Sequence, residues 1–404
     1  MPAMIQSLKL QLSLLWLAFA IHSAQGNPAY EAASQCLESV NGHAMLVYED
    51  GKLVFERYMN GHAAEKPHLL ASGTKSFSGF MAVAAQEDGL LKLDEKLSET
   101  ITEWKEDGQK KGITIRQLLS LSSGIAGGES GQVPGYKQAV EMAKVTGPPG
   151  KRFQYGPIPY QIFGEIMRRK LVASGKAKDP LDYLQQRLFT PLGMKYELWR
   201  EDAEKMPHLP SGAFFTAREW AKFGLFILNG GLWEGKQIVK AESLAECFKP
   251  APANPNYGMT FWKSKPSDPI PDLVMAAGKG KQKLFIIPSK KLLIVQFADA
   301  EQRYREEKFL SLALGDVTVV GADVASDADA GVENGMAKAR VEQNFTLLDK
   351  DGDGRVSREE AGDAAERIFP ADTNQDGFLT LEEATALAEK IARFRQQRNP
   401  AGKK

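Results

Sequence analysis

Two stretches near the C-terminal end of this 404-residue chain share a twelve-residue pattern. The first places Asp349, Asp351, Asp353, Gly354, Arg355 and Glu360 at positions 1, 3, 5, 6, 7 and 12. The second places Asp372, Asn374, Asp376, Gly377, Phe378 and Glu383 at the same positions, 23 residues later. Side-chain oxygens at positions 1, 3 and 5, a carbonyl at 7 and a carboxylate at 12 supply the hard oxygens that Ca²⁺ prefers. Glycine at position 6 permits the sharp turn because it has no Cβ. Apolar Val356 and Leu379 at position 8 suit pairing of the two loops by a short ladder. Val341, Phe345 and Leu348 before the first loop, and Leu381, Ala384, Leu387 and Ile391 after the second, recur at helical spacing and predict a shared apolar face.

This segment resembles an EF-hand pair, and the resemblance covers residues 337–395. It implies two Ca²⁺ ions, one held by Asp349, Asp351, Asp353, Arg355 and Glu360, the other by Asp372, Asn374, Asp376, Phe378 and Glu383. Residues 361–371 alone separate the loops, so the helix leaving the first is expected to double as the helix entering the second. That compactness favours a structural module over a calcium sensor.

Lys+Arg and Asp+Glu each total 51, so there is no net basic field to recruit nucleic acid. From Asp316 to Lys404 there are 18 acidic and 12 basic residues, a net of −6, and the remainder carries +6. The two parts of the chain are different objects. At the other end, Lys9 precedes the apolar run Leu10–Ile21, and Ala24-Gln25-Gly26 follows. This predicts a signal peptide over 1–26 cleaved after Gly26, and export to the periplasm or beyond. A bilayer-spanning helix needs about 20 apolar residues, and no transmembrane segment is expected. Cys36 and Cys247 are either a disulfide or two small buried thiols. His43, His62, His68 and His208 are scattered singly and are expected as surface or supporting groups, not metal ligands.

Alternation over 42–58 around Glu49-Asp50-Gly51-Lys52 predicts a β-hairpin, and apolar spacing predicts helices over 72–87, 217–228 and 301–314. Residues 89–200 read as short helices among Gly/Pro loops, punctuated by Pro148-Pro149-Gly150, Pro157 and Pro159. Leu284–Pro288 and Leu292–Ala298 read as strands. Strands at both ends of a helical insert predict an α+β fold, an antiparallel sheet flanked by helices. The expected division is a signal peptide 1–26, a large domain 27–315, an acidic linker 316–336, the paired loops 337–395 and a frayed tail 396–404.

Hydrolytic chemistry needs a nucleophile, a base and an oxyanion site. No G-x-S-x-G occurs, and a single S-x-x-K does: Ser72-Gly73-Thr74-Lys75. At i, i+3 on a helix start the two side chains share a face. Burial that lowers the lysine pKa lets the amine take the serine proton. Backbone N–H groups of the same turn can hold an oxyanion.

The neighbourhood of Ser72 and Lys75, with Asp88-Gly89-Leu90 to Asp94, resembles the active-site helix of the serine β-lactamase-like and penicillin-binding-protein-like hydrolases. So do Thr114-Ile115-Arg116 through Ser123-Gly124, Pro191-Leu192-Gly193-Met194, and Ser211 through Gly224 with Asn229-Gly230-Gly231. These landmarks cover residues 40–315 in the family's order. Gly278-Lys279-Gly280-Lys281-Gln282 looks closest to the esterase and 6-aminohexanoate-dimer-hydrolase branch of this class C β-lactamase-related family. The resemblance implies a β-lactamase/transpeptidase-like sheet with a helical subdomain. It also implies Ser72 as the acylated nucleophile, Lys75 as its base and Tyr155 as proton relay, with the backbone N–H groups of Ser72 and Lys279 as oxyanion hole. Two positions depart from the pattern. The family's Y-x-N is Tyr155-Gly156-Pro157, and its K/H-T-G is Ala276-Ala277-Gly278. Lys281 offers a displaced charge near the hole.

The expected function is an exported serine hydrolase of small esters or amides, needing no cofactor for catalysis, with Ca²⁺ in its EF-hand loops. Two alternatives stay open: a β-lactam- or peptidoglycan-directed enzyme of the same fold, and a non-catalytic, Ca²⁺-dependent binding scaffold.

Overall fold

A computed structural model describes residues 27–129, 131–300 and 304–315, and those between 345 and 386 except 346, 347, 352, 363, 364, 370 and 371. The expected signal peptide 1–26, the linker 316–336 and the tail 396–404 lie outside the described residues.

Five helices frame the large unit: α1 (Pro28–Glu38), α2 (Ser76–Glu87), α3 (Ile158–Ser174), α4 (Ala217–Leu228) and α5 (Glu306–Leu314). The strands that build its main sheet and position the site are β1 (Gly42–Glu49), β2 (Lys52–Tyr58), β3 (His68–Leu69), β4 (Leu198–Trp199), β5 (Ala213–Phe215), β6 (Trp262–Lys263), β7 (Val274–Gly278), β8 (Gln282–Ile287) and β9 (Leu292–Ala298). The main sheet is antiparallel in the order β2-β1-β9-β8-β7-β6. The N-terminal β1 pairs with the late β9, from Gly42 opposite Ala298 to Glu49 opposite Leu292. The hairpin at 42–58 forms as expected and turns on Asp50 and Gly51, both at positive φ.

β8 and β9 are buried along their whole lengths, which explains their almost unbroken apolar runs. Neighbouring side chains on a strand point to opposite faces. Accordingly Phe285 stacks on Phe309 of α5, while Leu284 faces α4 on the other side. α1 packs on α5 and on β1; α4 crosses β9, β8 and β1. At that crossing a Cβ on Gly224 would lie 2.5 Å from Leu293 Cδ1, so glycine sets how closely helix and sheet approach.

The structure corrects the loop-rich reading of 89–200. α3 is a 17-residue helix there. Pro157 is its N-cap and Pro159 lies in its first turn, where a missing N–H costs no helical hydrogen bond. The prolines mark a helix start, not a loop. The T-I-R stretch is scaffold: Thr114 caps the short helix Ile115–Leu119, and Arg116 ties Asp94 (2.7 Å) to Glu246 (2.8 Å). The helix expected over 301–314 is described from Glu306. Cys36 is partly buried and Cys247 buried, and both are free thiols. No helix among the described residues is long and apolar enough to cross a membrane.

The C-terminal unit has its own core of Phe345, Val356, Ala361, Phe369 and Leu379. Strands β10 (Arg355–Ser357) and β11 (Phe378–Thr380) pair antiparallel with Val356 opposite Leu379, the ladder expected from position 8. The single shared helix does not form. Arg358–Ala361 is helical, Gly362 leaves the helix at φ +50, and Ala365–Ile368 resumes it.

Candidate active site

β3 pairs with β5, and the chain then turns at once into a five-residue 3₁₀ segment, Ala71–Lys75, ahead of α2. Ala71 sits at φ +47, a left-handed conformation that costs a residue with a Cβ about 1 kcal/mol. Leu70 N–H donates to Ala213 O (2.9 Å) and Gly73 N–H to Leu70 O (2.9 Å), which pin the turn. The bend leaves Ser72 partly exposed while Gly73, Thr74 and Lys75 are buried.

Lys75 Nζ lies 2.9 Å from Ser72 Oγ and 2.9 Å from Pro210 O. Around it stand a hydroxyl, a carbonyl and the faces of Tyr155 and Tyr160, with Nζ 4.9 and 5.3 Å from the ring centroids. Burial therefore acts uncompensated and brings the lysine pKa down to about 7. The Tyr155 phenol is hydrogen-bonded with Ser72, and burial pushes its pKa up to about 12 against that bond's opposing pull. The three residues that the sequence placed 83 positions apart at most thus meet at one hydroxyl.

Two close backbone approaches hold this arrangement. A Cβ on Gly156 would come within 2.0 Å of Gly127 O, and Ile158 N–H donates to the same carbonyl (3.0 Å). A Cβ on Gly278 would come within 2.1 Å of Leu70 O and 3.1 Å of Gly73 N. The end of β7 therefore abuts the serine turn, with Lys279 the next residue. Gly280 and Lys281 continue the hairpin at positive φ, and buried Gln282 anchors it by accepting from Ala298 N–H (3.2 Å). Lys281 Nζ lies over the Tyr304 ring, 5.7 Å from its centroid.

The departures have structural reasons. Pro157 serves as the cap of α3. Ala276 is 1% exposed inside β7, a position with no room for a solvated basic head.

Beside Tyr155 stands an aromatic wall that sequence reasoning did not single out. Trp262 stacks on Tyr155 (5.8 Å), Tyr257 meets Trp262 edge-on (4.9 Å), and Phe153 touches both. The Tyr257 and Tyr160 hydroxyls hydrogen-bond at 2.8 Å. Aromatic residues at 153, 155, 257 and 262 carry no common period, so only the fold assembles them.

The Beta-lactamase family profile matches residues 31–316. The chain belongs to the Beta-lactamase family. An EF hand profile matches residues 343–360. Among solved structures, a candidate 6-aminohexanoate-dimer hydrolase from Bacillus anthracis superposes with TM-score 0.59 at 22% identity, over 70% of this chain and 80% of that one. EstCE1, a hydrolase with promiscuous acyltransferase activity, gives 0.59 at 15% identity, over 72% and 97%. A penicillin-binding protein homologue from Caulobacter crescentus gives 0.58 at 15%, over 71% and 96%. Protein flp of Staphylococcus aureus strain MW2 is 23% identical over 188 residues, 42% of this chain and 37% of its own length. At these identities the likeness of the solved structures is one of fold. Family membership gives the large unit its fold, and its chemistry rests on the side chains above.

In the EF hand, the Asp349, Asp351 and Asp353 carboxylates lie within 4.8 Å of one another. Gly354 (φ +86) and Gly377 (φ +84) make the turns. Their N–H groups donate to Asp349 Oδ2 and Asp372 Oδ2, each at 3.1 Å. Glu360 and Glu383 accept from the N–H and hydroxyl groups of Ser357 and Thr380, and also from the loop N–H groups of Lys350 and Thr373, and these bonds hold both pKa values down to about 2. Asp372 Oδ1 is buried without a hydrogen-bond partner, which fits an oxygen kept for a cation.

The structure overturns one expectation about the large unit. His43, His62 and His68 are not scattered: their rings gather with centroids 5.4–5.9 Å apart, beside Asp299. Burial lowers the pKa of His62 to about 4 and also lowers that of His68. His208 stays apart from them, its pKa lowered by burial.

Proposed function

We propose that this Beta-lactamase family member is an exported serine hydrolase that cleaves small, uncharged esters or amides through an acyl-enzyme. The observation that carries the reading is Lys75 Nζ at 2.9 Å from Ser72 Oγ with no carboxylate to keep it charged. A neutral Lys75 accepts the Ser72 proton as Oγ attacks the substrate carbonyl carbon. The backbone N–H groups of Ser72 and Lys279 receive the oxyanion. Tyr155 passes a proton to the leaving group, whose bond to the carbonyl carbon then breaks. Water, deprotonated by the same pair, releases the acid and restores Ser72. Phe153, the partly exposed member of the aromatic wall, favours an apolar substrate portion. The absence of a basic residue at Ala276 and of an amide at Pro157 weighs against β-lactams and peptidoglycan peptides. A scaffold without turnover gives no reason to bury a lysine amine against a serine hydroxyl.

In the C-terminal unit, Asp349, Asp351, Asp353 and Glu360 with the Arg355 carbonyl, and Asp372, Asn374, Asp376 and Glu383 with the Phe378 carbonyl, are the ligands for two structural Ca²⁺ ions. The segment 1–26 is the export signal, and 316–336 links the units.

The test is intact-mass spectrometry after reaction with a fluorophosphonate probe. One adduct is expected on the wild type, none on Ser72→Ala, and slow labelling on Lys75→Ala. A folded, Ca²⁺-loaded wild type that takes no adduct would return the large unit to the binding-scaffold reading.

A further inference from the structure

The histidine cluster lies outside the serine chemistry. His43 belongs to β1, His68 to β3, and Asp299 directly follows β9. His43 Nε2 is 3.1 Å from Asp299 Oδ2, and His68 Nε2 is 3.6 Å from Asp299 Oδ1. One ligand atom from each of the three lies within 4.8 Å of the others.

His68 Nδ1 is 3.0 Å from Leu69 O, and a carbonyl can only accept, so Nδ1 donates and Nε2 is the nitrogen left facing Asp299. The second ring nitrogen of a metal-bound histidine is commonly oriented by just such a backbone carbonyl. Nearby, His62 is 9% exposed and its Nε2 is buried without a partner.

We propose that His43 Nε2, His68 Nε2 and Asp299 bind a borderline divalent transition-metal ion, Zn²⁺ above all, with water in the fourth position. Imidazole nitrogens with a carboxylate are the donor set that suits such an ion. The His43 and His68 nitrogens lie 3.1 and 3.6 Å from the two Asp299 oxygens, Oδ2 and Oδ1 respectively, so a small side-chain adjustment brings both rings and one oxygen to the ligand separation of about 3.3 Å that a tetrahedral ion at 2.0–2.1 Å requires. The Asp299 side chain is 60% exposed and the imidazoles 14–15%, so the site has an open entry and a buried floor. Phe297 stacks on His68 (5.1 Å) and on Trp220 (5.7 Å), which packs against Gly73. The ion would tie β1, β3 and the end of β9 together four residues ahead of Ser72.

The experiment uses untagged full-length protein, stripped of metal, then saturated with Ca²⁺ to fill the C-terminal loops. Co²⁺ is titrated by visible absorption and Zn²⁺ is used to displace it. One equivalent of Co²⁺ with the intense bands of a tetrahedral site is expected, and Zn²⁺ should abolish them. Asp299→Asn and His43→Gln should each weaken binding by about tenfold or more, with circular dichroism confirming an intact fold. Zn²⁺ should raise the Tm of the wild type and leave Asp299→Asn unmoved. No Co²⁺ uptake by the Ca²⁺-saturated wild type overturns the site. So does uptake that neither substitution changes.

Discussion

On the proposed acyl-enzyme reading, Lys75 has to lose its proton before Ser72 can give one up. Because burial brings its pKa to about 7, the base is half formed at neutral pH. Acylation, read as kcat/KM, should fall about tenfold per pH unit below 7 and stay level above it. Tyr155, at about 12, keeps its phenolic proton throughout, so no alkaline limb is expected below pH 10 or so. Lys75→Ala should lower kcat/KM by roughly 10²–10⁴-fold, and Tyr155→Phe should slow turnover while Ser72 still labels. A profile without the acid limb would remove Lys75 from the role of base. The S-x-x-K spacing made this pair readable from sequence, since i, i+3 on a helix start fixes who faces whom. The lysine pKa was not readable, because it depends on Pro210, Tyr155 and Tyr160 arriving from elsewhere in the chain.

At the scale of elements, backbone contacts set the site. Gly156 lets the segment carrying Tyr155 lie against Gly127, and Gly156→Ala would drive a methyl into Gly127 O. It should destabilise by about 1–3 kcal/mol, seen as a lower urea midpoint, and should displace Tyr155 enough to lower kcat. β8 and α5 are joined by Lys283 and Glu306, a buried ion pair with both side chains 2% exposed. Removing the carboxylate takes the ion-pair partner from a buried lysine, so Glu306→Ala should cost about 3–5 kcal/mol in chemical unfolding. α4 was legible to the residue, from Ala217 to Leu228, because its apolar residues repeat at helical period. α3 was not, because Pro157 and Pro159 signal a break in sequence and a helix start in space.

Among the described residues there are two separate cores, one around the six-stranded sheet and one of five buried residues in the EF hand. Each core is a candidate for independent unfolding. Glu360→Gln combined with Glu383→Gln should weaken Ca²⁺ binding by tenfold or more in calorimetric titration. Fluorophosphonate labelling of Ser72 should be unchanged. A labelling rate that fell with the Ca²⁺ affinity would mean that the loops act on the serine site.

Local pattern was enough to show the EF-hand-like loops, the S-x-x-K turn and the strands that feed the main sheet. Ligand spacing, helical i, i+3 geometry and apolar period are all written within a dozen residues. Antiparallel pairing of β1 with β9 was legible only as an expectation of class, since its register joins residues 256 positions apart at Gly42 and Ala298. Tertiary structure alone decided the aromatic wall, the free state of Cys36 and Cys247, and the meeting of His43, His68 and Asp299. These depend on which strand ends the sheet brings side by side, and no local spacing records that.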